Sequence, residues 1–284
     1  MTNQKKNTIL NILIGIFALV FIVSTSIFLF NLYQGKKETA DLEAISKEQA
    51  EVISNKVESD EESENEMSYE EALIYANNQL HQKNDEMYGW LKISNTIIDY
   101  PVMYTPDNFQ KYLRKDFKGD YSLAGLPFLG DGNSIDYPEF NTIIYSHNMN
   151  NGTMFHDLLK YENQEFLEEN PTIQFSTLNE IREYEVVAAF RIDIEEDPFV
   201  YYDYVEWDDE YNQNFINEIK QRSLYNIDMD VDVSDQLLTL STCDYYSPEG
   251  RFVVVAKRIG EYENLVNPNQ IEKEEKSSVI DEKQ

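Results

Sequence analysis

Residues 9–33 carry no charged side chain and are almost wholly apolar, with Ile12-Leu13-Ile14, an unbroken run at 16–23 and Ile27-Phe28-Leu29-Phe30. A stretch of about 25 such residues can cross a bilayer as a helix. Everything that folds as a globule must therefore lie beyond it, on one side of a membrane. Lys5 and Lys6 precede the run and Lys36 and Lys37 follow it, so the lysines alone leave the orientation ambiguous. A short N-terminal tail ahead of a large acidic domain favours the N-terminus inside and the domain outside. A cleaved signal peptide is the rival reading. The run is long for one and lacks a clear small-x-small cleavage site, so a retained anchor is expected.

The rest divides by composition. Residues 1–37 read as a cytoplasmic tip and anchor. Residues 38–67 are rich in Glu, Asp, Ser, Lys and Asn, which suggests a solvated acidic stalk or a marginal helix. Residues 68–260 hold the pattern of a folded domain, and 261–284 read as a charged, disordered tail. The formal net charge of -30 argues against nucleic-acid binding, which needs clustered Lys and Arg, and suits an extracellular surface.

Ser68-Tyr69-Glu70-Glu71 fits a capping box with Ser68 as N-cap. It predicts a helix to about residue 82, with Ala72, Leu73, Tyr75, Ala76 and Leu80 as apolar positions. Strand patterns follow at 89–93, 96–104, 141–147, 172–176, 183–192, 236–243 and 252–259. Helices are expected at 107–117, with Asp107 as N-cap, around 154–161, and at 208–223, where Tyr211, Phe215, Ile216 and Ile219 form an apolar face. About seven strands and few helices predict a mainly β fold, a closed or nearly closed barrel with appended helices.

Cys243, the only cysteine, ends the apolar run Leu237-Leu238-Thr239-Leu240-Ser241-Thr242. Arg251 opens the next, Phe252-Val253-Val254-Val255-Ala256, across the loop-like Asp244-Tyr245-Tyr246-Ser247-Pro248-Glu249-Gly250. Two strands so joined form an antiparallel hairpin with thiol and guanidinium at one end. Fixed positive charge favours the thiolate, which makes Cys243 a candidate nucleophile. The alternative is an inert, buried small hydrophobe. An exported chain could form disulfides, but a single cysteine cannot pair within it.

A thiol nucleophile needs a base or acid nearby. His147 ends a strand and meets the polar turn Asn148-Met149-Asn150-Asn151-Gly152, a usual place for a catalytic group, although a structural histidine fits as well. His156 and His81 read as helix-surface residues. One Cys and three scattered His lack metal-ligand spacing, no EF-hand-like loop is present and no glycine motif cradles phosphate, so no metal or cofactor is expected. Asp197-Pro198-Phe199 reads as a turn that could border a site.

Thr239-Leu240-Ser241-Thr242-Cys243 matches the TLxTC signature of sortases, membrane-anchored cysteine transpeptidases of Gram-positive bacteria. Arg251 stands where the sortase arginine stands, and Asn141-Thr142-Ile143-Ile144-Tyr145-Ser146-His147-Asn148-Met149 resembles the segment around the sortase histidine. The resemblance covers about residues 88–259. It looks like class B, from the helix before the barrel, Gly152-Thr153-Met154-Phe155 after the histidine, and a helix-bearing insertion at about 193–232 ahead of the cysteine strand. Asp197-Pro198-Phe199 lies inside that late insertion, unlike the lid motif of class C enzymes, and the anchor is N-terminal only.

The resemblance implies a closed barrel of about 7–8 strands and a mechanism. Cys243 attacks the carbonyl of a Thr in a C-terminal sorting motif, and Arg251 stabilises the oxyanion. His147 protonates the leaving amine and later accepts a proton from the incoming one. The acceptor is the peptide branch of a cell-wall precursor, and the product is a surface protein joined to peptidoglycan. Leu113, Phe199, Val200 and Ser241 resemble, by position, residues bordering the class B groove, with simple packing as the alternative. The motif is expected to be NPQTN-like or S/P-P-x-T-G-like. Asp244, beside the nucleophile, works against the thiolate, so only part of the enzyme is expected as thiolate–imidazolium at neutral pH. A pilus-assembling sortase, a hydrolytic cysteine peptidase and a membrane-tethered binding domain with an inert thiol remain the competing readings.

Overall fold

Eight strands roll the chain into one closed sheet. They are β1 (Met87–Lys92), β2 (Asp99–Met103), β3 (Phe128–Leu129), β4 (Asn141–Tyr145), β5 (Thr172–Thr177), β6 (Ile181–Asp193), β7 (Leu237–Cys243) and β8 (Gly250–Ile259). The order around the barrel is β1-β2-β3-β4-β7-β8-β6-β5, with β5 returning to β1. Two pairings are parallel, β2 with β3 and β4 with β7; the others are antiparallel. A parallel pair cannot be joined by a tight turn. Between β4 and β7 the described residues supply β5, β6 and four helical segments, and this crossover includes the insertion read from the sequence. The computed structural model describes residues 3–60, 67–135, 139–205, 208–225 and 230–260. The expected tail, 261–284, lies outside the described residues.

The chain divides into two units, Met1–Ala44 and Ile45–Gln284. Helix α1 spans Asn3–Asp60. In the first unit its apolar side chains face outward, Phe17 and Phe21 each 71% exposed, and α1 is the helix among the described residues long and apolar enough to cross a membrane. In the second unit the helix behaves differently. Ile53 is buried against Ala72, Leu73 and Ala76 of α2 (Tyr69–His81). Gln49 Nε2 donates to Asn77 Oδ1 at 2.7 Å, and Asn77 Nδ2 donates to the carbonyls of Ser176 and Thr177 on β5. The stretch expected as a stalk or marginal helix is thus helical through Asp60, and its residues from Ile45 onward include part of the domain surface. Composition hid this because one apolar side chain per helical turn suffices to dock a helix whose other faces are solvated.

Helix α2 begins where the capping box puts it. Ser68 Oγ accepts from Glu71 N at 3.2 Å, and the Glu71 carboxylate accepts from Ser68 N at 2.8 Å. Two otherwise unpaired donors are satisfied reciprocally. Short α3 (Gln164–Glu169) starts at Asn163, and α4 (Asp209–Arg222) starts at Asp208, whose carboxylate accepts from Tyr211 N. Phe215, Ile216 and Ile219 of α4 join Phe190, Val253 and Val255 in one buried cluster. Tyr211, expected on that apolar face, is 43% exposed and stacks on Tyr204 instead.

Several expected elements come out shorter or tighter. The helix at 107–117 is a 3₁₀ segment, Pro106–Arg114, kinked at Asn108. Pro106 occupies its first turn and Asp107 is not the cap; Thr105 precedes the turn and its hydroxyl donates to Asn108 O. The helix at 154–161 is likewise 3₁₀, Phe155–Glu162. Thr96 Oγ1 ties back to Ile93 O and accepts from Ile98 N, so the chain turns over 94–97 and β2 starts at Asp99. β3 has two residues, too few for an alternating pattern to register.

Candidate active site

Strand register assembles the site. β4 and β7 run parallel, with Ile143 opposite Thr239 and Tyr145 opposite Ser241. The ladder extends one step further, Ser146 N donating to Ser241 O at 3.2 Å. His147 therefore leaves the sheet beside Cys243. On its other side β7 pairs with β8, and Cys243 opposite Arg251 is the last pair. The cysteine strand lies between the other two. Side chains two apart share a face, so Ser241 and Cys243 open on the same side. Gly250 lets the hairpin close, because a Cβ there would meet Asp244 O at 2.4 Å, while Asp244 N donates to Gly250 O at 2.9 Å.

These residues line a cavity of about 360 Å³. Cys243, His147 and Arg251 meet there over apolar walls from Phe109, Leu113, Phe128, Tyr145, Ile194 and Tyr201. A mainly apolar lining with a few convergent polar groups is the make-up of a binding pocket. Among the described residues no cluster of three or more His, Cys, Asp and Glu could hold a metal ion.

His147 Nε2 lies 3.0 Å from Leu113 O. A carbonyl oxygen only accepts, so Nε2 carries a proton and Nδ1 is the nitrogen left to take or give one. Burial, then the nearby Arg114 charge, holds the imidazole pKa below its ordinary value, against the opposing effect of the Leu113 hydrogen bond. Cys243 is half-buried and unpaired with any sulfur. Arg251 is held by Gly250 O at 2.9 Å from Nη1 and by Glu249 Oε2 at 3.3 Å from Nη2.

Asp244 does not stand as an open charge beside the thiol. It is 8% exposed, and its Oδ2 accepts from Arg191 Nε at 2.5 Å. Arg191 is also bidentate to Glu162, at 2.9 Å on both bonds. Asp244 is thus paired with a guanidinium that it shares with Glu162, and what works against the imidazolium is first the burial of His147 itself.

Of the four residues expected along the groove, Leu113 and Ser241 line the cavity. Phe199 and Val200 do not. Phe199 is 5% exposed and packs between Phe190, Tyr204 and Phe215 with the Arg222 guanidinium 4.7 Å from its ring. The next residues take that place, Tyr201 and Tyr202, in the 3₁₀ turn Tyr201–Asp203. Tyr201 OH bonds Ser241 Oγ at 2.7 Å, and burial pushes its pKa up to about 12. In a chain with 20 tyrosines no sequence signal singled these two out. His81 bonds Met87 O at 2.7 Å, and neither His81 nor His156 lines the cavity.

Comparison with known proteins agrees with this geometry. The Sortase domain family profile matches residues 91–259. Sortase B of Listeria monocytogenes is 34% identical over 183 residues, which is 63% of this chain and 72% of that protein. Sortase B of Staphylococcus aureus is 35% identical over 182 residues, 63% of this chain and 73% of that protein. Among solved structures, a Staphylococcus aureus sortase B–substrate complex superposes with a TM-score of 0.68 at 29% identity, covering 81% of this chain and all (100%) of that one. Sortase B from B. anthracis in complex with AAEK1 gives 0.65 at 28% identity, with coverages of 81% and 100%. The family match takes in strands β2 to β8, including the parallel β4–β7 pair that sets the histidine segment beside the cysteine, and so the chain belongs to the sortase family of cysteine transpeptidases, within class B.

Proposed function

We propose that Cys243 is the nucleophile, His147 the proton carrier and Arg251 the oxyanion donor of a transpeptidation that joins a surface protein to the cell wall. One observation carries this reading: Cys243 lies between the strand leading to His147 and the strand opened by Arg251, and all three border one cavity.

The steps follow from the groups available. The Cys243 thiol gives its proton to His147 Nδ1, while Nε2 stays bonded to Leu113 O. Burial, then Arg114, disfavours the imidazolium of His147, which works against the ion pair in the free enzyme. The thiolate attacks the carbonyl carbon of a Thr in the sorting motif, NPQTN-like or S/P-P-x-T-G-like. The oxyanion forms beside Arg251, whose guanidinium is charged at any working pH. The C–N bond then breaks, and His147 Nδ1 protonates the departing amine. A thioester remains. An amino group of the peptidoglycan precursor attacks it, Nδ1 accepts the proton and the thiolate leaves. One amide has been exchanged for another, with no net change in protons. Overall this is cysteine peptidase chemistry with an amine in place of water. The uncharged run in α1 serves as a retained anchor, with residues 1–37 forming tip and anchor, the N-terminus inside and the catalytic domain, 68–260, outside.

The test uses the detergent-solubilised full chain with fluorogenic NPQTN, SPKTG, PPKTG and LPETG peptides, each with and without triglycine as acceptor. Cleavage of one motif that vanishes in Cys243→Ala, with an amine-ligated product, is the expected result. Cleavage whose rate and products ignore the amine makes the protein a hydrolase. Turnover retained in Cys243→Ala removes the thiol from the chemistry.

A further inference from the structure

We propose that Asn148 and His156 are positioning residues that hold the nucleophile's backbone in register with His147; the inference rests on Cys243 being the nucleophile. Asn148 follows the histidine directly and is 5% exposed. Its Nδ2 donates to the carbonyl oxygen of Cys243 at 3.1 Å, across a sequence separation of 95 residues. Its own carbonyl accepts from Tyr245 OH at 2.7 Å, two residues beyond the cysteine. The residue after the general acid and base thus holds the chain on both sides of Asp244.

The amide has two faces, and only one fits. The Cys243 carbonyl can only accept, so Nδ2 must point at it and Oδ1 must point away. A flipped amide would set oxygen against oxygen. His156 Nδ1 sits 2.9 Å from Oδ1. Since that amide oxygen also only accepts, His156 must present Nδ1–H, and this donor selects the productive orientation of Asn148. His156 keeps that donor in its Nδ1–H neutral tautomer and as the imidazolium.

The local backbone is shaped to bring His156 back to Asn148. Residues 148 and 154 form an isolated antiparallel bridge, and Phe155 N donates to His147 O at 2.8 Å. Gly152 turns the loop with φ +83°. Met154, fully buried, is held at φ 58° and ψ -131°, a conformation disfavoured for a side chain with a Cβ. A loop that merely linked β4 to the next helix would not need this conformation. Here it closes a small ring of contacts with the histidine carbonyl, the Asn148 side chain and the nucleophile's carbonyl as its members.

The experiment is steady-state cleavage by the detergent-solubilised full chain, with the NPQTN peptide or, where that is the one cleaved, the SPKTG peptide. His156→Phe keeps a ring but lacks the donor, and His156→Gln restores an N–H. In His156→Phe, kcat is expected to fall about tenfold, the kinetic equivalent of one hydrogen bond, with KM and the melting temperature unchanged. His156→Gln should return most of the rate. Asn148→Ala should fall at least as far, and His156→Phe should cost nothing further in that background, because the histidine acts through the amide. Iodoacetamide alkylation of Cys243 should slow in step with kcat, and it supplies the readout where no peptide is cleaved. Equal losses in His156→Phe and His156→Gln, or additive losses with Asn148→Ala, overturn the proposal. A rate like that of the unaltered chain in His156→Phe overturns it too; should Asn148→Ala fail to fold, the two His156 variants decide alone. Turnover surviving in Cys243→Ala fails the underlying reading instead.

Discussion

The β4–β7–β8 end of the barrel and the late insertion face each other across one cavity, yet they are built on different terms. On the sheet, position follows from register. Tyr145 opposite Ser241 and Cys243 opposite Arg251 are consequences of backbone pairing. In the insertion, position follows from packing. Tyr201 reaches the cavity because Phe199, Tyr204 and Phe215 fill the space behind it and α4 is buried against β6 and β8. The groups proposed to react lie at the end where geometry is over-determined. The rest of the cavity wall comes in part from a region where one change of side-chain volume moves it.

The comparison predicts opposite kinds of damage. Phe215→Ala should act on the insertion through stability. Its ring is fully buried, and truncation should cost about 3–5 kcal/mol, read by denaturant unfolding. Below its melting point the variant should show a raised KM with kcat largely kept. A kcat loss as large as the KM change would mean that the insertion also positions the thiol. Arg251→Lys should act on the sheet end through chemistry. Charge is retained, but the fork of donors is lost, and kcat/KM should fall by about 100-fold with the melting temperature unmoved. A smaller defect would assign the oxyanion to another donor.

Tyr201→Phe sharpens the boundary between the two regions, since its hydroxyl bridges insertion and sheet at Ser241. Losing that bond should raise KM about three- to fivefold, in line with about 1 kcal/mol, and leave kcat alone. The smallest effect is electrostatic. Arg114 helps hold His147 below the ordinary histidine value, second to burial. Arg114→Gln removes one of the two depressing influences, so the acid limb of kcat/KM should move to higher pH. A shift to lower pH, or none, would mean that the limb belongs to another group.

The same division decides what could be read from the residues alone. The apolar runs flanking 244–250 imply a hairpin, and a hairpin dictates that Cys243 meets Arg251. The strand pattern Asn141-Thr142-Ile143-Ile144-Tyr145 places His147 near a strand end, although β4 stops at Tyr145, two residues before it. Phe199 and Val200 were expected at the groove, but an aromatic-rich turn does not reveal which ring faces in. A 3₁₀ turn brings out the next two residues, Tyr201 and Tyr202. The docking of Ile53 and Gln49 onto α2 was equally hidden, since it rests on few side chains in an acidic stretch. Asp244 illustrates a third case. Its place beside the nucleophile is plain in the sequence, whereas its partner Arg191 lies 53 residues away and emerges only from the fold.

The parallel pairing of β4 with β7 also fixes when the enzyme can first exist. Strand β8, the last of the described strands to be synthesised, occupies a place between β7 and β6, and the histidine and cysteine segments become neighbours only after some 95 residues of intervening chain are gathered in. Closing so long a loop is slow, and no shorter segment can do it in advance. A chain emerging N-terminus first can form α1, α2 and the early strands long before the segments of His147 and Cys243 are brought together. The two segments therefore meet late in the making of the barrel, well after the long N-terminal helix has been synthesised.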